Sequence, residues 1–195
     1  MAGNARPLRA DAERSVRAIL EAAERVLRAD PAASLAQIAE AAGVARTTIH
    51  RRFSSREALL DALRAWSVGQ FNAAVDDARP EASPPMVALY QLTLNILRAK
   101  IAWSYGMAQA ERAGPAVPEM LAAVTGRCEK LFERMQAAGL ITENADLHWA
   151  LRVYRALIAE TLHGEKASGD ADADVLATRI VATLMQGIGT EAARL

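Results

Sequence analysis

Residues Ser34 to Phe53 read SLAQIAEAAGVARTTIHRRF, two short amphipathic segments on either side of a glycine turn. Ser34 with Gln37 three residues later is the pattern of a capping box, in which each side chain satisfies a backbone amide of the other. Leu35, Ile38, Ala39 and Ala42 then recur on one helical face. Gly43 supplies the left-handed residue that ends such a helix, and Val44 plugs the turn. A second helix is expected from Ala45 to Arg52. With Ile49 at the centre of its buried face and about 100° per residue, Ala45 and Phe53 share that face, and Thr47 and Arg51 point nearly opposite. Thr48, His50 and Arg52 lie on the flanks, and Arg46 falls in the first turn. A short helix with apolar backing and polar donors in front suits the DNA major groove, so the pair reads as a helix-turn-helix.

That geometry assigns roles to side chains. Arg46 enters the groove first and is the candidate for forking onto guanine O6 and N7. Thr47 and Thr48 suit a thymine methyl or a phosphate, and Arg51 and Arg52 add charge to the same surface. His50 and Arg56 are expected to hold phosphates. The free amides around Ser34 and Leu35, at the start of the first of the two helices, offer a further anion site.

Working outward, a helix from Asp11 to Ala29 is expected to carry Val16, Ile19, Leu20, Ala23, Val26 and Leu27 on one face, with Asp11 as its cap and residues 1–10 as a mobile arm. Asp30-Pro31 stops it, because a residue before proline avoids the helical region. Ser55 caps a fourth helix that continues through Leu59, Leu60, Leu63 and Trp66 to about Asp77. The stretch from Arg79-Pro80 to Pro84-Pro85 is the clearest break in the chain. Beyond it, helical stretches are expected over 85–100, 101–112, 117–138, 145–163 and 173–193, punctuated at Gly114-Pro115, Gly139, Gly164 and Gly169. No segment alternates like a strand. The fold expected is all-α: a three-helix helix-turn-helix domain over 11–57, linked through a helix over 58–79 to a helical body over 80–195, about nine helices in all.

Composition agrees. Hydrophobic residues make up 52% of the 195, rich in alanine and leucine and poor in aromatics and β-branched runs, which favours helix. The net charge is zero but unevenly spread. Residues 1–56 hold ten Arg against six Asp or Glu, and residues 57–195 hold 13 Lys or Arg against 17 Asp or Glu. A basic head on an acidic body is the footprint of a DNA-binding end. The single cysteine, Cys128, excludes an internal disulfide and a cysteine-rich zinc site. No apolar run approaches the roughly 18 residues a membrane span needs, and MAGNARPLRADAER lacks the apolar core of a signal peptide. Cytoplasm is therefore the expected location, with no membrane partner. His50, His148 and His163 show no metal-ligand spacing, and the chain has no phosphate loop, nucleophile elbow or paired-carboxylate motif. No metal, cofactor or catalytic residue is expected, and the chain does not read as an enzyme.

Residues 12–64, with the long first helix, QIAEAAGVARTTIHRRF and then SSREALLDAL in order, resemble the DNA-binding domain of TetR-type transcriptional regulators. That family usually has tyrosine where this chain has His50, and often lysine at Arg56; both replacements keep a phosphate donor. The resemblance implies a homodimer on a two-fold, palindromic operator, with repression as the family default. It also implies release of the DNA by a small-molecule effector bound in the body, with the link running through the fourth helix. The last two long helices would form a four-helix dimer interface, with Leu151, Tyr154, Ile158, Leu176, Ile180 and Leu184 as its apolar positions. Trp66, Tyr90, Thr93, Leu97, Trp103, Met107, Val124 and Cys128 are the candidate lining of the effector pocket, with Asn95, Gln109 and Arg127 as further polar groups. Such a stripe of Trp, Tyr and Met also suits plain core. A helical protein-interaction module that keeps the fold without reading DNA is the alternative.

Overall fold

The computed structural model describes residues 5–112, 116–164 and 170–191. The first residues of the expected arm, the Gly114-Pro115 break and Gly169 lie outside the described residues. Nine helices are described: α1 (Ala5–Ala29), α2 (Leu35–Ala41), α3 (Arg46–Arg52), α4 (Arg56–Asp77), α5 (Pro85–Ala102), α6 (Ser104–Arg112), α7 (Ala116–Ala137), α8 (Leu147–Gly164) and α9 (Asp170–Ile188). Among the described residues there is no strand, only an isolated bridge between Ile141 and Gly189. None of the described helices is long and apolar enough to cross a membrane.

Two ends differ from expectation. Helix α1 starts at Ala5, so Asp11 is not its cap. Asp11 instead accepts from the Arg14 guanidinium, and its carbonyl accepts from Ser15 Oγ. Pro7 sits in the first turn, where its missing N–H has no helical acceptor to lose. Helix α3 starts one residue late, at Arg46, with Ala45 extended at φ −64°, ψ 147° as the N-cap. Ala45 is exposed rather than on the buried face, because a cap residue lies outside the helical wheel that predicted its direction.

The chain divides into two compact units. The head comprises Met1–Val68 with Trp103–Ala113, and the body comprises Gly69–Ala102 with Gly114–Leu195. The expected division assigned everything from residue 80 onward to the body, whereas α6 packs with the head. Within the head, Ile19, Leu27, Ile38, Ile49, Leu59 and Leu63 are fully buried in one core drawn from α1 to α4, and Trp66, Trp103 and Tyr105 pack against it.

In the body, α5 buries Ala88, Leu89, Leu92, Thr93, Leu94, Ile96, Leu97 and Ala99. So broad a buried surface marks a helix covered on several sides. Polar groups pin the body elements together. Asn95 donates to the Ala74 carbonyl at 3.0 Å, and Tyr90 donates to Asp174 at 2.6 Å. Arg127 grips Glu81 at 2.7 Å and also reaches Asp76. Gly139 takes φ +68° to end α7, as its place in the sequence predicted. The chain end is fastened by Thr142 N–H to the Ile188 carbonyl at 3.0 Å and by Thr190 N–H to the Leu140 carbonyl at 3.1 Å. An added Cβ on Gly189 would meet the Met185 carbonyl at 2.4 Å, so this close return requires glycine there.

One hydroxyl pair lies in the apolar middle of the body. Thr93 Oγ1 donates to the Leu89 carbonyl at 2.7 Å and lies 2.9 Å from Tyr154 Oη. Thr93 has a single proton and spends it on Leu89, so Tyr154 is the donor of the pair. Thr93→Val strands the buried Tyr154 hydroxyl and is expected to cost about 1–3 kcal/mol, with most of that recovered in Thr93→Val/Tyr154→Phe. Urea unfolding of the single and double variants checks this; a double variant no better than Thr93→Val would show that the pair is not what the single change breaks.

Candidate nucleic-acid interface

The surface is built from α2, the turn and α3. The capping box is closed at Ser34: its Oγ accepts from Gln37 N–H at 3.3 Å, while its own N–H donates to Gln37 Oε1 at 2.8 Å. At the other end, Gly43 takes φ +66°. Its N–H reaches the Glu40 carbonyl at 3.0 Å, and Val44 N–H reaches the Ala39 carbonyl at 3.0 Å. This pair of bonds is a Schellman motif, which satisfies the last carbonyls of α2 and fixes the direction in which the chain leaves it. Arg25, on α1, adds a bond to the Ala41 carbonyl at 3.4 Å.

Helix α3 then presents its two faces as expected. Ile49 is fully buried and Phe53 nearly so, while Arg46, Thr47, His50 and Arg51 are exposed. Thr48 and Arg52 are half-buried on the flanks. Arg52 Nε is shielded from water and has no acceptor. The outward side therefore carries two exposed arginines, an exposed histidine, the exposed Thr47 and the half-buried Thr48 on a rod seven residues long.

Two expected contacts are placed differently. Arg56 is half-buried, and its guanidinium donates to the carbonyls of Pro31 and Ala33 in the loop before α2. Its charge is drawn inward to fasten that loop through these two backbone carbonyls. Ser34 likewise commits its hydroxyl and its N–H to Gln37. Ser55 caps α4 as expected, accepting from Ala58 N–H at 3.1 Å.

Glu24, which no local pattern singled out, lies inside α1 among apolar neighbours and is 2% exposed. Its two carboxylate oxygens accept from Tyr105 N–H and Gly106 N–H, each at 2.8 Å. Its partners are 81 and 82 residues away along the chain, beyond the reach of any local pattern.

The candidate pocket set falls into two groups. Trp66, Trp103 and Met107 belong to the head; Tyr90, Thr93, Leu97, Val124 and Cys128 belong to the body. In the body, Thr93 and Leu97 are fully buried, and Tyr90, Thr93, Asn95 and Arg127 each have a protein partner. Burial pushes the Cys128 thiol up to about 11, which leaves it a core residue rather than a nucleophile. In the head, Trp66 and Trp103 meet edge to face at 6.3 Å, and Trp66 Nε1 is buried without an acceptor. An open groove of about 470 Å³ in the body, lined by Glu81, Lys130, Glu133, Arg134 and Ala137, shares no residue with the candidate set.

The six residues expected at a dimer face are interior to the protomer. Leu151, Tyr154, Ile158, Leu176, Ile180 and Leu184 are each at most 5% exposed. The apolar stripe was read correctly as buried, but the body's own helices bury it. Trp149 and Val175 stand on the outer surfaces of α8 and α9 at 56% and 58% exposure.

This arrangement is a helix-turn-helix domain of the DNA-binding kind. Residues 19–63 match the family model of bacterial regulatory proteins, tetR family. It is 47% identical over 77 residues to the HTH-type transcriptional repressor LfrR of Mycolicibacterium smegmatis. That match spans 40% of this chain and 41% of the repressor. The structure of the TetR-like regulator LfrR from Mycobacterium smegmatis in complex with proflavine is similar over 91% of this chain and 98% of that one, at 28% identity and a TM-score of 0.63. The ketosteroid transcriptional regulator KstR2 of Mycobacterium tuberculosis shares the fold at 17% identity, over 89% of this chain and 94% of that one, with a TM-score of 0.70.

Arg56→Ala is expected to lower stability by about 1–3 kcal/mol, because two loop carbonyls lose a charged donor. Arg46→Ala, on the exposed side of α3, should stay within about 0.5 kcal/mol of the parent. Chemical denaturation of both variants distinguishes a stapling arginine from a reading one.

Proposed function

We propose that the chain is a transcriptional repressor that binds a palindromic operator as a homodimer and leaves it when a small molecule binds. The observation that carries this is α3, whose apolar side is locked into the head while Arg46, Thr47, His50 and Arg51 stand in solvent. Arg46 and Arg51 have no intramolecular ion pair among the described residues, so their donors are available for base edges and phosphates. Thr48 supports the flank of the same contact. Two such heads would need their reading helices about 34–36 Å apart to meet successive major grooves.

The partner in the dimer would be a second copy meeting the outer side of α8 and α9. Trp149, Val153, Ala156 and Leu157 recur at helical spacing on α8, and Val175 and Ala182 on α9, all outside the deeply buried set. The effector is proposed to bind near Trp66, where the indole N–H lacks an acceptor that a ligand could supply. Proflavine, bound by the similar regulator, is the first compound to try. The protein would act in the cytoplasm, where its operator lies.

The test is a gel shift with the duplex upstream of the protein's own gene at low salt. Binding should weaken at least about fivefold in Arg46→Ala and in Arg51→Ala, since a lost bidentate base contact costs about 1–3 kcal/mol. Unchanged affinity in both, with the fold intact, would remove α3 from the role. Trp149→Glu should convert a dimer to a monomer by sedimentation while leaving helicity unchanged; a dimer that survives it places the interface elsewhere.

A further inference from the structure

We propose that Glu24 is a latch that seats α6 on the head, and that the seated form is the one that grips DNA; the second half rests on the DNA-reading function proposed above. The argument begins with chain order. Helix α6 belongs to the head, yet the segments before and after it, ending at Ala102 and resuming at Gly114, belong to the body. The chain thus returns to the head for one helix only, and something in the head must retain it.

That retention is specific. A helix begins with amides that have no partner of their own, and in α6 two of these, Tyr105 N–H and Gly106 N–H, are satisfied by one carboxylate from α1 at 2.8 Å each. Glu24 is 2% exposed, so its oxygens are satisfied by those two donors rather than by water. The seat is also shaped. A Cβ at Gly106 would lie 2.0 Å from Ser67 Oγ and 3.3 Å from Glu24 Oε2. Ser67 is fully buried, and its hydroxyl is tied to the Leu63 carbonyl at 2.8 Å. The α6 backbone therefore lies directly on the Ser67 side chain at this point, and any tilt of α6 separates the carboxylate from its donors. An unseated α6 leaves a buried carboxylate without partners inside the helix that supports α2 and α3, which is costly enough to disturb the head. A change transmitted through either chain end of α6 would act on the reading surface by this route.

The test is amide hydrogen exchange on the full-length protein, with and without the promoter duplex used above. Glu24→Gln keeps the size but turns an amide N–H₂ towards one of the two donors. It is expected to raise exchange over Tyr105 to Arg112 about tenfold in the free protein, raise it by much less in α2 and α3, and weaken the duplex about tenfold, within the usual range of a coupling between sites. Reciprocally, the duplex should slow exchange in the same segment of the wild-type protein. Gly106→Ala should loosen α6 chiefly by its clash with the Ser67 side chain while leaving Glu24 itself unmutated, and adding Ser67→Gly should largely restore both exchange and affinity; this pair decides the matter if Glu24→Gln does not fold. Exchange that rises uniformly over the head, or a loosened α6 with wild-type affinity, overturns the latch. A wild-type chain that ignores every duplex sinks the DNA-reading proposal and the DNA half of this one, while the free-protein exchange pattern still judges the latch itself.

Discussion

A helix of seven residues has no stability of its own in water, because nucleation costs more than so few hydrogen bonds return. Helix α3 exists because Ile49 and Phe53 are buried in the head and because the turn before it leaves the chain one direction in which to go. The two amide bonds around Gly43 set that direction. The reading surface depends on this constraint, since the exposure of Arg46 and Arg51 follows from which residues lie behind them. Stability and recognition are thus assigned to opposite sides of one short rod.

The two units use their polar groups in contrasting ways. In the body, the hydroxyl of Thr93, the amide of Asn95, the phenol of Tyr90 and the guanidinium of Arg127 are all matched inside the protein. Buried polar groups so matched specify how helices pack, at little net gain over apolar residues. In the head, the arginines divide. Arg25 and Arg56 are turned onto backbone carbonyls and hold loops, whereas Arg46 and Arg51 face water. Residue type alone does not separate these roles; the number of unsatisfied carbonyls within reach does.

This contrast marks where the sequence was readable. The capping box at Ser34, the glycine turn, the caps and stops of α4 and α7, and the buried face of α3 were all legible, because each depends on residues within one or two helical turns. Arg56 and the dimer-face residues were placed less well. A basic residue at the edge of a basic surface looks alike whether it meets a phosphate or a neighbouring carbonyl. An apolar stripe looks alike whether its own chain or a second copy covers it, and for Leu151, Tyr154 and Ile158 its own chain does. Glu24 could not be found at all from its neighbours, since a glutamate is an ordinary helix former and its donors lie on a helix far along the chain.

Glu24 also explains why α6 departs from the expected division. A break rich in proline and glycine shows where a chain can change direction, but it does not say which core the next helix joins. Two amides, a glycine that admits no side chain and an edge-to-face pair of tryptophans draw α6 to the head. Each of these is weak as a sequence signal, because tryptophan, glycine and glutamate are common in helices that do nothing of the kind. Their convergence on one seat is a property of three dimensions. Among them, a buried carboxylate with no ion pair among the described residues, bonded to two backbone amides of a helix that the chain must leave and return to, is the contact most sensitive to how α6 is seated.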